Sequence, residues 1–402
     1  MYSKDSGHKL ARRVPVIALA IAALLAVSAW TTSNAAGKVG DFLTGVSAVS
    51  RTNAWAVGYY YGKNAIPQTL IDHWNGSAWR QVPSADPSAG FNELNAVSVI
   101  SAKDGWAVGI QKHASGSDCL TERWNGARWT TVPDADHGQL LNCRLYAVTT
   151  ISANDAWAVG SYLRLIPGHQ SGALLSLIEH WNGKSWRLVS GPNPAGDSSG
   201  NRTQLTGVAA TSAGDVWAVG AYTSDIRSNP ARTLVEHWNG AKWAQVRSAS
   251  PGLPDSASGL NGVAASSTSA VAVGGATLAG PFILQPSGGQ WRPAVTPAAG
   301  KKLNSLAAVA ITSGTSAWAV GNYGPQQPWI VHWNGSRWST VPAPHAAGRV
   351  FTSLVAVTAP SADATWAVGS IGHTVLNLKP VTLIEHWTGT KWVRVPSPNP
   401  LP

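Results

Sequence analysis

Two cysteines and two histidines stand in matched frames. "HASGSDC" spans residues 113–119 and "HGQLLNC" spans residues 137–143. The set supports two chemistries. In an oxidising compartment Cys119 and Cys143, the only cysteines of the chain, would join as a disulfide. As thiolates beside two imidazoles they would offer four ligands to a tetrahedral metal. The intervals match no familiar zinc motif, so the disulfide is the expectation. The metal set His113, Cys119, His137 and Cys143 is the alternative.

A second candidate chemistry is acid–base. His73, His180, His237, His332 and His386 each precede a tryptophan, and four of them follow Asp or Glu. A histidine beside a carboxylate is a general acid–base pair in form. Neighbours along a strand point to opposite faces, however, and copies spread along the chain cannot converge on one substrate. The carboxylates are spread in the same way: Asp104, Asp155 and Asp215 recur in one kind of turn, and Asp72, Glu122, Glu179, Glu236 and Glu385 in one kind of strand. A glycosidase needs two carboxylates that converge. No G-x-S-x-G elbow, H-E-x-x-H, phosphate loop or calcium loop is present. The sequence assigns no catalytic residue and no cofactor.

What must position these groups is a repeat. "WAVG" ends at Gly58, Gly109, Gly160, Gly220, Gly321 and Gly369, and "AVAVG" ends at Gly274. Each copy follows an apolar run such as "LTGVSAVS" and precedes a variable loop, an "EHWNG"-type segment and a second tryptophan. Large and small side chains alternate in the motif. Trp157 and Val159 therefore share one strand face, with Ala156 and Gly160 on the other. A bulky face of one sheet can then lie over the small face of the next. Trp74 and Trp79 flank a four-residue hairpin link with Asn-Gly turn chemistry, which sets the indoles opposite each other. The pair recurs at Trp124/Trp129, Trp181/Trp186, Trp238/Trp243, Trp333/Trp338 and Trp387/Trp392. Of 21 tryptophans, 19 hold the three repeat positions, so they are read as core; Trp30 and Trp329 lie outside the pattern.

Seven repeats with four strand-like runs each fit an all-β, seven-bladed β-propeller of four antiparallel strands per blade. The blades fall near 42–84, 94–134, 145–191, 205–248, 260–297, 303–343 and 351–398 of one domain, 36–402. The pattern resembles secreted propellers with Asp-box (sialidase-type) and photosystem-assembly-factor-like repeats, and most of all exported proteins carrying the same WAVG/HWNG unit. The resemblance covers nearly all of residues 42–398. Against the Asp box, S-x-D-x-G-x-T-W, Gly76 and Trp79 match, whereas Asp72 and Trp74 replace its serine and aspartate. The resemblance therefore implies the fold and not sialidase activity.

Residues 1–35 read as a secretory signal peptide. Lys4, Lys9, Arg12 and Arg13 precede an uncharged apolar run at 14–30 and small residues before a cut near Ala36. An uncleaved anchor is the alternative. Only 12% of residues are charged, for a net of +10. That is no dense basic patch, so nucleic acid is not an expected partner. The expectation is a secreted or cell-surface monomer.

Strand direction divides the loops between two ends of the ring. The hairpin turns are constant in length, and the links after "WAVG" vary. Variable loops on a rigid frame suit recognition. Tyr60, Tyr162, Tyr222 and Tyr323, each two residues past the glycine, would ring that end with Lys63, Lys112, Arg164 and Arg227. Arg128, Lys184, Lys242, Arg337 and Lys391 give the constant end a basic rim, which Asp104, Asp155 and Asp215 would offset. The functional expectation is a non-catalytic propeller that binds an extracellular glycan, peptide or anionic cell-wall polymer through its variable face. The alternative is an extracellular hydrolase or lyase acting on polysaccharide. Repeat five, with Val271 for the inner tryptophan and no hairpin pair around Trp291, should be the weakest.

Overall fold

The computed structural model describes residues 40–399, apart from 63–64, 114–115, 136–139, 168–171, 227–228, 254, 278, 298–304, 324–326, 345–349 and 374–379. Twenty-eight strands, β1 to β28 in chain order, are the regular elements of that part. They form six hydrogen-bonded sheets. Five sheets have four strands in sequence order. The sixth has eight, because the runs at 141–188 and 202–245 are joined by one parallel pair, Leu174 with Arg202. The first run shows the common plan: β1 (Asp41–Ser50), β2 (Asn53–Tyr61), β3 (Pro67–Trp74) and β4 (Trp79–Gln81) pair antiparallel in that order.

The alternation in the repeat is the rule by which sheets stack. Trp157 and Val159 pack on Val216, Ala218, Leu234 and Trp243 of the next repeat. On the other face of the same strand, Ala156 and Ala158 receive Trp106 and Val108 of the preceding one. The sequence closes on itself by the same contact. Trp366 and Val368 of the last repeat pack on Ala54, Ala56 and Trp79 of the first. The Asp41 amide also donates to the Pro380 carbonyl at 2.8 Å.

The expected tryptophan pairs form. Trp74 stands opposite Trp79, with ring centroids 5.9 Å apart. Five of the six complete pairs also take in the motif tryptophan of the repeat before them: Trp106 lies 4.8 Å from both Trp181 and Trp186, crossing the latter edge-to-face. Ring pairs of this geometry add roughly 0.5–1.5 kcal/mol each beyond area burial. Five of the hairpin turns are held by asparagine. Asn75 Oδ1 accepts from the Ser77 and Ala78 amides at 3.0 Å, and Gly76 takes a φ of 94°, a left-handed conformation that favours glycine.

The motif glycine has a cause that stacking alone does not supply. A Cβ at Gly58 would overlap the Phe42 carbonyl oxygen, where a bulge between Leu43 and Gly45 brings β1 against β2. Gly109 and Gly160 face the Glu93 and Arg144 carbonyls in the same way. Only glycine permits that approach.

Candidate functional site

The repeated histidines and acids are structural. His73 stacks on Trp55 at 4.1 Å, and its Nε2 lies 2.9 Å from Asn53 Oδ1. His180 and His237 stack on Trp157 and Trp217 and meet Asp155 and Asp215 at 2.9 and 2.6 Å. Repeat two substitutes Arg123, which lies over Trp106 and pairs with Asp104 at 3.2 Å. Asp104, Asp155 and Asp215 are thereby turned to internal partners. Exposed Arg128, Lys184, Lys242, Arg337 and Lys391 have no ion-pair partner among the described residues.

The acids that precede the histidines face the other way and are buried. Asp72, Glu122, Glu179 and Glu236 have no exposed surface, and Glu385 has 1%. Burial pushes Asp72, Glu122, Glu236 and Glu385 up to about 8. Glu122 is partly relieved by Ser84, whose hydroxyl donates to it at 3.1 Å. These groups line separate junctions and do not converge on a substrate.

Cys119 and Cys143 form a disulfide with Cα atoms 5.0 Å apart, inside the range such a bond requires. The bond joins two strands. Cys119 lies within Gly116–Trp124 and Cys143 within Leu141–Ser152, and both are buried. His113 pairs with Asp118 at 3.1 Å, and His137 lies outside the described residues.

Of the residues expected at the variable end, Tyr60, Tyr162 and Tyr222 are half-buried caps on the cores between repeats. Tyr323 is 37% exposed. Two shallow pockets open at equivalent places, one beside Tyr222 with Arg232 and Arg247, the other beside Tyr323 with Trp329. Lys112 lies 4.3 Å over the Phe91 ring, and Arg164 pairs with Asp197 at 2.7 Å. Lys63 and Arg227 lie outside the described residues.

The structure also brings together a cluster that the repeat count passed over. Inner strands lie side by side: Thr44 Oγ1 donates to the Leu94 carbonyl and Asn95 Nδ2 to the Leu145 carbonyl, both at 2.7 Å. Their first turns of chain, at the variable end, therefore present Phe42, Glu93 and Arg144 as neighbours. Phe42 stacks on Tyr59 at 5.0 Å and meets Tyr61 edge-on at 6.3 Å. Arg144 donates to Glu93 at 2.9 Å and to Asn95 at 3.0 Å, and lies 5.2 Å over Tyr146. Glu93 is 2% exposed, while Phe42, Tyr61, Arg144 and Tyr146 keep a surface to solvent. Burial and the Glu93 charge push the Tyr59 phenol up, so it is no base near neutral pH. Burial also raises Glu93, against the opposing pull of Arg144 and Lys112. The cluster offers aromatic faces and one locked carboxylate–guanidinium pair. These residues depart from the repeat consensus, and that departure was the available signal.

No family model matches the chain, and no curated protein matches it. Solved structures do. An ulvan lyase of polysaccharide lyase family PL25 superposes with a TM-score of 0.53 at 10% identity, over 90% of this chain and 96% of that one. YCF48 bound to a D1 peptide gives 0.49 at 12% identity, over 83% and 92%. The fucose-binding lectin of Aleuria aurantia gives 0.43 at 11%, over 91% and 97%. The neighbours are β-propellers, and the chain has that fold.

Proposed function

We propose that the chain is a non-catalytic, exported, seven-bladed propeller that binds an extracellular glycan or peptide through its variable-loop face. The blade count follows from treating the eight-stranded sheet as two four-stranded blades sharing a single parallel pair. Export follows from the leader at 1–35, cleaved near Ala36, with a single propeller over 36–402.

The observation that carries the binding reading is the cluster at the start of the inner strands. Partly exposed rings of Phe42, Tyr61 and Tyr146 surround the Glu93–Arg144 pair. Apolar faces with a few fixed polar groups are the ordinary makeup of a recognition site. A sugar ring could stack on the aromatics while its hydroxyls meet the ion pair. Catalysis is less well supported, because the one carboxylate is already committed to Arg144 and a glycosidase needs two. Tyr60, Tyr162, Tyr222, Tyr323, Lys112 and Arg164 would extend the face outward, and the basic rim would hold the opposite end near an anionic wall polymer.

The test is a binding screen of the mature chain against glycan and wall-polymer panels and a peptide library. Tyr61→Ala and Tyr146→Ala should each abolish the strongest signal while leaving the fold intact by circular dichroism. Binding that survives both changes, or turnover of a panel member, would overturn the reading.

A further inference from the structure

Five junctions between repeats bury a polar node near the variable end, and in one node the chemistry has been exchanged. Strand register places Thr69, Cys119, Ser176, Thr233 and Thr382 at one position, just before the leucine opposite the motif glycine. Where that residue is threonine, its hydroxyl meets a serine from the crossover that follows: Ser84 at 2.7 Å, Ser248 at 2.8 Å and Ser397 at 2.6 Å. Ser84 passes the contact on to Glu122 of the next repeat. The next inner strand contributes a further buried residue, Asn92 in that case, and Thr203, Ser258 or Asp41 at other junctions.

Between repeats two and three every variable member of this node changes. Position 119 is cysteine, the serine is replaced by Asp134, the inner strand supplies Cys143, and Glu179 keeps the place of Glu122. Cys119, Asp134, Cys143 and Glu179 are all buried, and one donor atom from each lies within 4.8 Å of the others. Two sulfurs and two carboxylates from four separate chain segments thus share one enclosed point.

We propose that this node is a redox-gated metal site, in which the disulfide is the closed state and its reduction opens a four-ligand site for a zinc-class divalent cation. A dithiol reductant supplies two electrons and two protons. The S–S bond breaks, Cys119 and Cys143 become thiols, and the reductant leaves as its own disulfide. The cation then displaces the two thiol protons and takes an oxygen from Asp134 and from Glu179. Two thiolates favour zinc or cadmium over calcium or magnesium. Four protein ligands without an open position make the site structural, not catalytic. Because binding releases protons, uptake strengthens as pH rises. The site holds the same two strands in place whichever bond is present, so the chain would be folded both before and after oxidation.

Cobalt titration of the full mature chain tests this. The chain is reduced with a dithiol, desalted without oxygen and titrated with Co2+. One equivalent should bind with a sulfur-to-cobalt charge-transfer band that Zn2+ removes, and the oxidised chain should show none. Asp134→Ser, which installs the serine of the other nodes, and Glu179→Gln should each lose the stoichiometric uptake while circular dichroism stays unchanged. A folded, reduced chain without the band overturns the proposal, and so does a band indifferent to both substitutions. A reduced chain that unfolds and is not refolded by Zn2+ overturns it equally.

Discussion

Trp106 and Val271 hold the same motif position in repeats two and five, yet their surroundings have little in common. Trp106 is fully buried between Trp181 and Trp186 of the next repeat, with Arg123 over its face. Val271 faces Trp329, Trp338 and partly buried Trp333. Trp329 stands where five repeats have leucine and repeat five has Phe282, as its pairing with Gly321 shows beside those of Leu70 with Gly58 and Phe282 with Gly274. The volume lost at 271 is restored from the partner side. At the other junction of repeat five, Trp291 lacks an indole opposite it and pairs with Pro286. There the preceding crossover supplies a backbone pairing instead. Trp291 donates to the Arg247 carbonyl at 2.9 Å and accepts from the Ala249 amide at 3.0 Å. A repeat protein can thus drift at one unit if its neighbours move with it, because each unit contacts chiefly its neighbours.

The largest effect should come from breaking a complete junction. Trp106→Ala removes the ring held between two others and should cost about 3–5 kcal/mol. Val271→Ala should cost about 2 kcal/mol or less. Equal losses in urea unfolding would mean that the indole trios carry no special weight. In native-state hydrogen exchange, Ser269–Ala276 should open first, since it has neither a histidine stack nor a hairpin pair behind it. Uniform protection across the seven repeats would contradict that.

The swap at repeats five and six can be tested as a coupling. Trp329→Leu restores the repeat consensus at one site and should lose about 2–3 kcal/mol by opening a cavity against Val271. Adding Val271→Trp should then recover at least about 1 kcal/mol, because the two residues fill one space. Additive losses in the double variant would show that Trp329 does not compensate for Val271.

Much of this was legible before any coordinates. The alternation in "WAVG" forecasts which face carries bulk, and Trp157 and Val159 do project together. The five-residue hairpin spacing forecasts the indole pairs, and the cysteine count forecasts the disulfide. Such features are local or repeat seven times, so parity and spacing suffice. Contacts between repeats were less visible. Asp134 belongs to neither set of repeated acids, and nothing in a linear reading places it beside Glu179, 45 positions later in the sequence. Trp329 looked like an exception for the same reason. Its cause lies one repeat away. The Phe42–Arg144 cluster comes from three inner strands, and only their side-by-side order makes it a surface.

The smallest effect expected concerns the buried acids, and it again sets repeat five against the rest. Ala218 pairs with Glu236 in repeat four, while the equivalent Ala272 pairs with Leu284 in repeat five. Neither carboxylate oxygen of Glu236 has a hydrogen-bond partner among the described residues, and burial pushes the group up to about 8. In the unfolded chain the same acid titrates near its ordinary value, roughly 4.3. Between those values the folded state holds a proton that the unfolded state has released. Stability therefore falls as pH rises through that window and levels off above about 8. Asp72, Glu122 and Glu385 act in the same sense. His73, His332 and His386 act oppositely, since burial lowers them and their contribution is lost as pH falls through their folded values. Glu236→Leu installs the residue that repeat five already uses. It should leave stability nearly unchanged at about pH 5 and raise it by about 1–3 kcal/mol at about pH 8, by removing an unpaired buried carboxylate. Urea unfolding of the variant and the parent at both pH values reads the difference directly. An equal gain at both would assign the effect to packing, and a loss at the higher pH would mean that the carboxylate of Glu236 is held by a partner.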